Sequence, residues 1–439
     1  MSDRVILLSI PGLRRQDLAA MPNLRALVQG GDSATLVPSF PCVTCPVQVN
    51  MTTGTTPRDH GVVANGFYWR DKQQVEMWTA WNQVIERPQI WDTLRKHRPD
   101  RSSAVWFPLL SKGCGADYIC TPAPIHNPDG SESLWCYTKP TELYGELRDA
   151  LGDFPLKHFW GPLANIKSTA WIVDSAVHAA GRFRPDFFYI YLPQLDYAGQ
   201  KTGPDSELAQ RAVVELDDVL GRLRAGLAAV YGTDEPLWLV ASEYTIVPVD
   251  HVEYPNRVLR EAGLLAVQPL ADGEHLDLAG SRAFSLVDHQ FAHVFVQQPA
   301  DVGRVADLFR RREGIAEVLV GDDRAKYELD HPRAGEVVLV SKSNSWQAYY
   351  WWLDDARAPG FARTVDIHRK PGYDPVELHF DPATRSIPLN AALVKGSHGA
   401  PAVDDSQRGI ILSSQPGVLV GRNLADTDVH DVVLRQFAI

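Results

Sequence analysis

Short β-prone runs alternate with helical patterns along the first half of this 439-residue chain. The β-prone runs are Val5 to Ile10, Ala104 to Phe107, Phe187 to Leu192 and Leu237 to Ala241. Helical patterns lie near Asp17 to Gln29, Ser168 to Ala180 and Glu207 to Ala228. This order is typical of an α/β fold, in which helices cover a largely parallel sheet. Such sheets bind ligands beyond the carboxyl ends of their strands, so functional residues are expected there.

The character of the sequence changes between about His251 and Lys395. Strands are predicted at Ala292 to Val296 and from Glu336 to Val340, and an aromatic run follows at Trp346 to Trp352. A strand at Gly409 to Ser413 then returns to the first pattern. We therefore predict a core made of residues 1–250 and 390–439, with an inserted α+β lobe at 251–389.

The segment from Pro38 to Arg70 places a hydroxyl between a strand and a helix. Residues 34–37 are β-prone, Pro41 breaks the strand, and Pro46 suits the first position of a helix that continues to Thr53. Thr44 therefore lies just ahead of free helix N–H groups, which together with the helix dipole favour an anion such as phosphate. The alternative interpretation is that Thr44 only caps the helix.

Composition excludes several classes of partner. The formal net charge is −11 and the basic residues are scattered, so a nucleic acid duplex is not an expected partner. No apolar stretch approaches the roughly 20 residues that cross a bilayer, and Val5 to Leu8 is too short for the apolar core of a signal peptide. We expect a globular protein without a membrane partner, in the cytoplasm.

The five cysteines form an odd set that does not fit a disulfide framework, so reduced thiols are expected. Cys42 and Cys45 spell C-x-x-C, but no thioredoxin-like context surrounds them and no second pair completes a zinc site. Packing beside Thr44 is the favoured interpretation, and redox chemistry is the minor alternative.

The region around Thr44 resembles the nucleophile region of the alkaline phosphatase superfamily, specifically its nucleotide pyrophosphatase/phosphodiesterase branch. The motifs that carry the resemblance are Phe40-Pro-Cys-Val-Thr44-Cys-Pro46, Thr53-Gly54, His60-Gly61 and Asn65-Gly-Phe-Tyr68. The resemblance implies a three-layer α/β/α sandwich in which Thr44 is the attacking group. It also implies that Asn65 donates a hydrogen bond to a phosphoryl oxygen, whereas His60 supports the loop.

The same family holds two metal ions, and this chain departs from its ligand pattern. Pro11 stands where the family has an aspartate, and Gln200 and Tyr244 stand where it has histidines. Glu243 replaces another aspartate, whereas Asp196 and His398 match the family.

The replacements affect the two implied ions unequally. One ion retains Asp196, His398 and the amide oxygen of Gln200, an oxygen-richer set that moves the preference from zinc toward manganese or magnesium. The ion beside the nucleophile keeps only Glu243 and Thr44, so we expect one or two divalent ions, with the second in doubt. Without that ion, Glu243 is a candidate base and Tyr244 a candidate hydrogen-bond donor to a phosphoryl oxygen.

Two further clusters contain ligand-type side chains. Asp288, His289 and His293 are predicted at the start of a strand, where the two histidines share a face and either line a metal site or flank a core. His368, Arg369 and Lys370 stand beside a Gly-Tyr turn and are candidates for binding a phosphate or carboxylate of the substrate. The alternative is a turn with solvated basic residues.

The sequence thus predicts a phosphoric ester hydrolase of the phosphodiesterase, pyrophosphatase or phosphatase type. It acts on a small soluble phosphorylated metabolite through Thr44. The alternative is a catalytically impaired relative that binds a phosphorylated ligand without turnover.

Overall fold

A nine-stranded sheet forms the centre of the molecule. The computed structural model describes residues 4–126 and 132–439, so residues 1–3 and 127–131 of the predicted core lie outside the described residues. Most neighbouring strands are parallel, but the strands 136–139 and 409–413 run antiparallel to their neighbours. The strands in sheet order are Asn423–Ala425, Ser33–Val37, Gly409–Ser413, Leu237–Ala241, Val5–Ser9, Phe187–Tyr191, Ser103–Trp106, Tyr118–Pro122 and Cys136–Lys139.

Helices cover both faces of this sheet. Alternate residues of the central strand point to opposite faces, so Ile6 and Leu8 lie in one apolar core and Val5 and Leu7 lie in another. The first core packs against the helices Pro22–Leu27, Leu143–Leu151, Ile166–Phe183 and Glu207–Tyr231. The second packs against Thr44–Thr53, Ile90–His97 and Asp428–Gln436. The predicted three-layer α/β/α arrangement is confirmed.

A second, antiparallel sheet lies within the predicted lobe. Its strands in order are Ala283–Asp288, Phe291–Val296, Val337–Ser341 and Ile315–Val320. The helices Pro255–Glu261 and Val302–Phe309 accompany it, and the aromatic run 346–352 is buried in the same apolar core. The boundaries 251 and 389 stay a prediction.

Short elements connect these parts. The remaining helices are Pro57–His60 and Gln194–Thr202, and the 3₁₀ turns are Arg15–Ala20, Asn82–Val84, Leu156–His158, Pro299–Asp301, Gly321–Tyr327, Asp355–Arg357, Gly360–Arg363, Pro375–Leu378 and Ala391–Leu393. Two-stranded ribbons pair Gly66–Trp69 with Gln74–Met77, Ile125–His126 with Glu132–Ser133, Val247–Pro248 with Gly396–Ser397, His251–Glu253 with Ser345–Gln347, and Ala266–Leu270 with Gly273–Asp277. None of the helices in the described ranges combines the length and apolar character that a bilayer-crossing segment needs.

Candidate active site

Thr44 is the first residue of a ten-residue helix, Thr44–Thr53, that follows the strand Ser33–Val37. Every residue of the helix is buried, and Thr44 itself is only 5% exposed. The helix starts two residues before the predicted position because Pro46 needs no N–H partner in the first turn. Gly54 ends the helix with a left-handed φ of 67°.

The helix N-terminus offers fewer free donors than the sequence predicted. Pro46 has no N–H, and the N–H of Cys45 donates to Asn65 Oδ1 at 2.9 Å. The N–H of Thr44 has no hydrogen-bond partner among the described residues. The prediction of several free N–H groups is therefore wrong, because among the first three helix positions only Thr44 has an N–H without a partner in the described residues.

Tyr244 joins Thr44 to Asp196. The Tyr244 hydroxyl lies 2.9 Å from Thr44 Oγ1 and 3.5 Å from Asp196 Oδ1. Burial raises the pKa of Tyr244 well above its ordinary value, so the phenol is neutral. Burial also raises the pKa of Asp196 to about 7, although the hydrogen bonds from Gln200 and Tyr244 oppose that rise.

Glu243 lies behind this group and faces other partners. Its Oε1 accepts hydrogen bonds from Ser9 Oγ at 2.5 Å and from Gln48 Nε2 at 2.8 Å, whereas Oε2 is buried without a partner. Burial raises the pKa of Glu243 to about 8, because the carboxylate is fully withdrawn from water. The structure shows no hydrogen bond between Glu243 and Thr44 in the described part of the chain, so the contact that a base would need is missing.

The sequence did not indicate the hydrogen bond from Gln48 to Glu243. Gln48 lies four residues after Thr44, one turn further along the same helix, so the two residues share a face. Its Oε1 accepts the N–H of Leu109, which fixes the amide that donates to Glu243. Helical spacing from Thr44 was the signal that could have identified Gln48.

His398 presents one nitrogen to Asp196. Its Nδ1 lies 2.9 Å from the carbonyl oxygen of Cys42, so Nδ1 carries the proton and Nε2 has a free lone pair. Nε2 is buried without a hydrogen-bond partner and lies 3.7 Å from Asp196 Oδ1. Burial lowers the pKa of His398 well below its usual value, which keeps the ring neutral.

Four rings contact one another in the order Tyr373, His289, His398 and Tyr244, with the outer two pairs stacked and the His289–His398 pair tilted by 42°. The successive centroid distances are 3.6 Å, 3.9 Å and 3.7 Å. Hydrogen bonds close the circuit, because Tyr373 donates to Gln200 Oε1 at 2.6 Å and Gln200 Nε2 donates to Asp196 Oδ2 at 2.9 Å. The predicted lobe thus contributes two rings to the site, a role that the sequence did not indicate for Tyr373.

His293 does not share a site with His289. His289 lies in the turn between two strands with a φ of 59°, and His293 lies within the following strand. His293 Nε2 donates to the carbonyl oxygen of Val63 at 3.0 Å, and its Nδ1 accepts the N–H of Gly335 at 3.2 Å. The prediction that both histidines lie on one strand is wrong, since the chain reverses at His289.

The three candidate substrate-binding residues are paired within the protein. Lys370 is 1% exposed, and its ammonium lies 2.8 Å from Asp374 and 2.6 Å from Glu377. Arg369 pairs with Asp366, and His368 Nδ1 lies 3.3 Å from the carbonyl oxygen of Met77. The ammonium of Lys370 is therefore committed to two carboxylates and is not available to a substrate in this structure.

The cysteines and His60 are buried and contact other parts of the protein. All five cysteines are free and buried, and burial raises the pKa of Cys42 and Cys45 above the usual range. The N–H of Val62 donates to His60 Nδ1, so Nε2 carries the proton and donates to Asn50 Oδ1 at 2.7 Å. These contacts agree with a supporting role for His60 in the loop.

Comparison with protein families gives a match over residues 5–374 to the model for type I phosphodiesterase and nucleotide pyrophosphatase. The chain belongs to this family. The resemblance read from the motifs around Thr44 is therefore confirmed.

Known relatives of this phosphodiesterase family member are distant in sequence. An uncharacterized pyrophosphatase/phosphodiesterase of Schizosaccharomyces pombe is 23% identical over 294 residues, which cover 66% of this chain and 53% of the relative. Human ectonucleotide pyrophosphatase/phosphodiesterase family member 7 is 23% identical over 253 residues, covering 56% of this chain and 49% of that protein. The chain thus spans about half the length of the curated relatives it matches.

Solved structures share the fold over nearly the whole chain. Phosphonoacetate hydrolase from Sinorhizobium meliloti, in complex with phosphonoformate, superposes with a TM-score of 0.62 at 16% identity and covers 98% of this chain and 95% of its own. Murine ectonucleotide pyrophosphatase/phosphodiesterase 5 gives a TM-score of 0.63 at 14% identity, with 99% and 95% covered. These likenesses establish the alkaline-phosphatase-like fold.

The family implies metal ions, but the donor set of this family member does not complete a two-ion site. Pro11 has no donor atom, Gln200 uses both amide atoms within the protein, and the Tyr244 hydroxyl fills the space between Thr44 and Asp196. No group of three or more His, Cys, Asp or Glu side chains that could hold an ion occurs in residues 4–126 and 132–439. Catalytic zinc normally has three protein ligands. His398 Nε2 has no hydrogen-bond partner and lies 3.7 Å from Asp196 Oδ1, an oxygen that also contacts Tyr244, so a single ion at these two residues stays a prediction.

Proposed function

We propose that this chain is a phosphoric ester hydrolase in which Thr44 Oγ1 attacks phosphorus. The observation that carries the proposal is the contact of Thr44 with Tyr244, at the start of a helix that follows a strand of the central sheet. Membership of the phosphodiesterase family supports the reaction class. The position beyond the carboxyl end of a strand is where α/β sheets bind ligands.

Two donors are placed to hold the phosphoryl group beside Thr44. Within residues 4–126 and 132–439 the N–H of Thr44 has no partner, and Asn65 Nδ2 retains one hydrogen after it donates the other to Asp288. Donors directed at the oxygens of a transferring phosphoryl group lower the barrier because charge on those oxygens changes in the transition state.

A route for the Thr44 proton runs through Tyr244 to Asp196. Since Tyr244 donates to Asp196, the Thr44 hydroxyl donates to Tyr244. When Thr44 Oγ1 forms its bond to phosphorus, its proton moves to Tyr244 and the phenol proton moves to Asp196. The leaving group departs as an oxyanion. Water then attacks the phospho-threonine, and Thr44 recovers its proton by the reverse route while the water proton passes to solvent.

The substrate we propose is a small phosphorylated metabolite, either a monoester or a nucleotide-like diester. The support comes from related proteins, since a structure of murine ectonucleotide pyrophosphatase/phosphodiesterase 5 contains AMP and the phosphonoacetate hydrolase structure contains phosphonoformate. A single divalent ion at Asp196 and His398 is part of the same proposal, although no step above depends on it.

A second candidate function is the binding of a phosphorylated ligand without turnover. It is favoured by the burial of the site, since Thr44 is 5% exposed and Tyr244 and Asn65 are each 1% exposed. The closed circuit of stacked rings and hydrogen bonds also favours it. Turnover of an aryl phosphate distinguishes the two functions.

Substitution of Thr44 tests the hydrolase proposal. Purified wild type, Thr44→Ala and Thr44→Ser are assayed with p-nitrophenyl phosphate and bis(p-nitrophenyl) phosphate, with and without added zinc, manganese or magnesium. Thr44→Ala should remove turnover, whereas Thr44→Ser should retain measurable activity because the oxygen remains. Thr53→Ala is the matched control, since Thr53 ends the same helix and its hydroxyl donates to the carbonyl oxygen of Val49 and contacts the hydroxyl and N–H of Thr55. Wild-type rates in Thr44→Ala would refute the proposed mechanism.

A further inference from the structure

The turn at residues 288–290 carries the predicted lobe into the active site. It joins the strands Ala283–Asp288 and Phe291–Val296, and the N–H of Gln290 donates to the carbonyl oxygen of His398 at 3.0 Å. The approach requires Gly399, which has a φ of 112° and where an added Cβ would lie 3.1 Å from the Gln290 nitrogen. The turn is therefore in direct contact with the core at the site.

The carboxylate of Asp288, at the start of this turn, has three hydrogen-bond contacts, two with Asn65 and one with His289. The Asn65 N–H donates to Oδ2 at 2.7 Å, Asn65 Nδ2 donates to Oδ1 at 3.1 Å, and His289 Nδ1 lies 2.6 Å from Oδ1. Asp288 and Asn65 are each 1% exposed, so no bulk water replaces a lost partner. A buried carboxylate with these contacts fixes the groups that donate to it.

The partners of Asn65 determine which way its amide points. The N–H of Cys45 can only donate, so it requires the amide oxygen, and the carboxylate of Asp288 accepts, so it requires the amide nitrogen. A flipped amide would place an N–H against the Cys45 N–H and an oxygen against the carboxylate. The observed orientation leaves the second hydrogen of Nδ2 without a partner among the described residues, while the amide oxygen contacts Cys45, the residue that follows Thr44.

We propose that Asp288 is a positioning residue that holds the Asn65 amide in the orientation that donates to the phosphoryl group. The inference rests on the proposed function, because it assigns Asn65 to the transferring group. It also means that the predicted lobe supplies part of the catalytic arrangement of the core, through a residue that does not itself touch the substrate.

A double-mutant cycle tests whether Asp288 acts through Asn65. The variants are Asp288→Ala, Asn65→Ala and the double variant, assayed for kcat and KM with the aryl phosphate that the wild type hydrolyses. Loss of an outer partner of a site residue typically costs about 10–100-fold in activity, and we expect Asp288→Ala to lower kcat by about that factor. In the Asn65→Ala background the same change should lower kcat by less than about twofold, because its target is already missing.

Additive losses in the double variant would overturn the inference, because they would show that Asp288 acts independently of Asn65. Asp301→Ala is the control for damage to the lobe, since Asp301 is a buried carboxylate that pairs with Arg282. It should reduce stability and leave kcat unchanged. If Asp288→Ala does not fold, Asp288→Asn takes its place in the cycle, because it keeps the size and loses one acceptor.

The failure of the proposed function gives a different result. If the wild type hydrolyses neither aryl phosphate, the affinity of the wild type and the three variants for inorganic phosphate is measured by calorimetry instead. We expect the losses of affinity to be non-additive in the same way. A wild type that neither turns over nor binds phosphate would overturn the inference together with the proposed function. Full activity in Thr44→Ala would refute the role of Thr44 as the nucleophile and would leave the inference about Asp288 and Asn65 standing.

Discussion

Single substitutions at the ligand positions give this family member a hydrogen-bonded site in place of a cluster of metal ligands. The Tyr244 phenol is the clearest example, because its hydroxyl lies between the Thr44 hydroxyl and the Asp196 carboxylate and contacts both. Gln200 is likewise saturated by Asp196 and Tyr373. Two of the four changed residues, Gln200 and Tyr244, are therefore linked to each other through Asp196.

Restoring the family's ligands should restore zinc binding. We predict that the combined variant Pro11→Asp, Gln200→His, Glu243→Asp and Tyr244→His binds zinc more tightly than the wild type, because thiol-free zinc sites depend on imidazole and carboxylate donors. Zinc per protein is measured by elemental analysis after dialysis against a metal buffer. Equal zinc content in the variant and the wild type would show that the backbone around these positions has also diverged.

Lys370 should matter for stability and not for substrate binding. Removing one partner of a buried ion pair leaves uncompensated charge and costs about 3–5 kcal/mol, so Lys370→Ala should lower the urea midpoint strongly. Arg369→Ala is the matched control, because its side chain is 65% exposed and surface changes usually stay within about 0.5 kcal/mol. A large rise in KM for Lys370→Ala without loss of stability would support the substrate role instead.

The sequence located the candidate site residues better than their partners. Thr44, Asn65, Asp196, Tyr244 and His398 converge in the structure, because the family motifs fix the strand ends that carry them. Lys370 could not be placed from sequence, since its two carboxylate partners follow it within a turn whose direction is not visible in a pattern.

At the level of secondary-structure elements, two buried histidines hold loops by using both ring nitrogens. His293 links Val63 to Gly335, and His60 links Val62 to Asn50. Each ring accepts one N–H, so each must be neutral to keep its contacts. Burial accordingly lowers the pKa of His293 to about 4 and of His60 to about 3.

These histidines should make stability fall as the pH is lowered. The unfolded state binds a proton on each histidine below pH about 6.5, whereas the native state does not until its lower pKa is reached. The contribution of each histidine to the free energy of unfolding is therefore complete above pH about 6.5. Below that pH it falls by about 1.4 kcal/mol per pH unit until the native pKa is reached. Buried Asp196 and Glu243, with raised pKa values, act in the opposite direction.

A comparison between variants isolates the histidine contribution. We expect the free energy of unfolding of His293→Gln to depend less steeply on pH between 6.5 and 5 than that of the wild type, by about one proton. Urea titrations at several pH values measure both slopes. Parallel slopes would mean that His293 is already charged in the native protein or neutral in both states.

Elements were predictable where one pattern dominated. The strands Leu237–Ala241 and Gly409–Ser413 match their predicted limits, because each is a continuous buried apolar run. The helix predicted near Asp17 to Gln29 is instead a 3₁₀ turn followed by Pro22–Leu27, since Pro22 begins a new helix. Reversal of the chain at His289 was missed because a non-glycine residue with positive φ leaves no clear signal in sequence.

At the level of the whole molecule, the order of strands and helices was enough to predict the sandwich. It was not enough to predict the contacts between distant segments. The site brings together Thr44, Asp196, Tyr244, Asp288 and Tyr373, which lie far apart in sequence. Those contacts depend on how the predicted lobe lies against the core. The predicted lobe therefore supplies residues to the candidate site, among them Asp288 and Tyr373.

The most direct test of this account is chemical identification of the residue that carries the transferred group. The protein is mixed with bis(p-nitrophenyl) phosphate, quenched in acid within the first turnovers, digested, and the peptide that contains Thr44 is examined by tandem mass spectrometry. Attack on this diester expels one p-nitrophenolate, so we predict a p-nitrophenyl phosphoryl adduct on Thr44 that is absent from Thr44→Ala and present in the Thr53→Ala control. Turnover with no adduct on Thr44, or an adduct on another side chain, would contradict it.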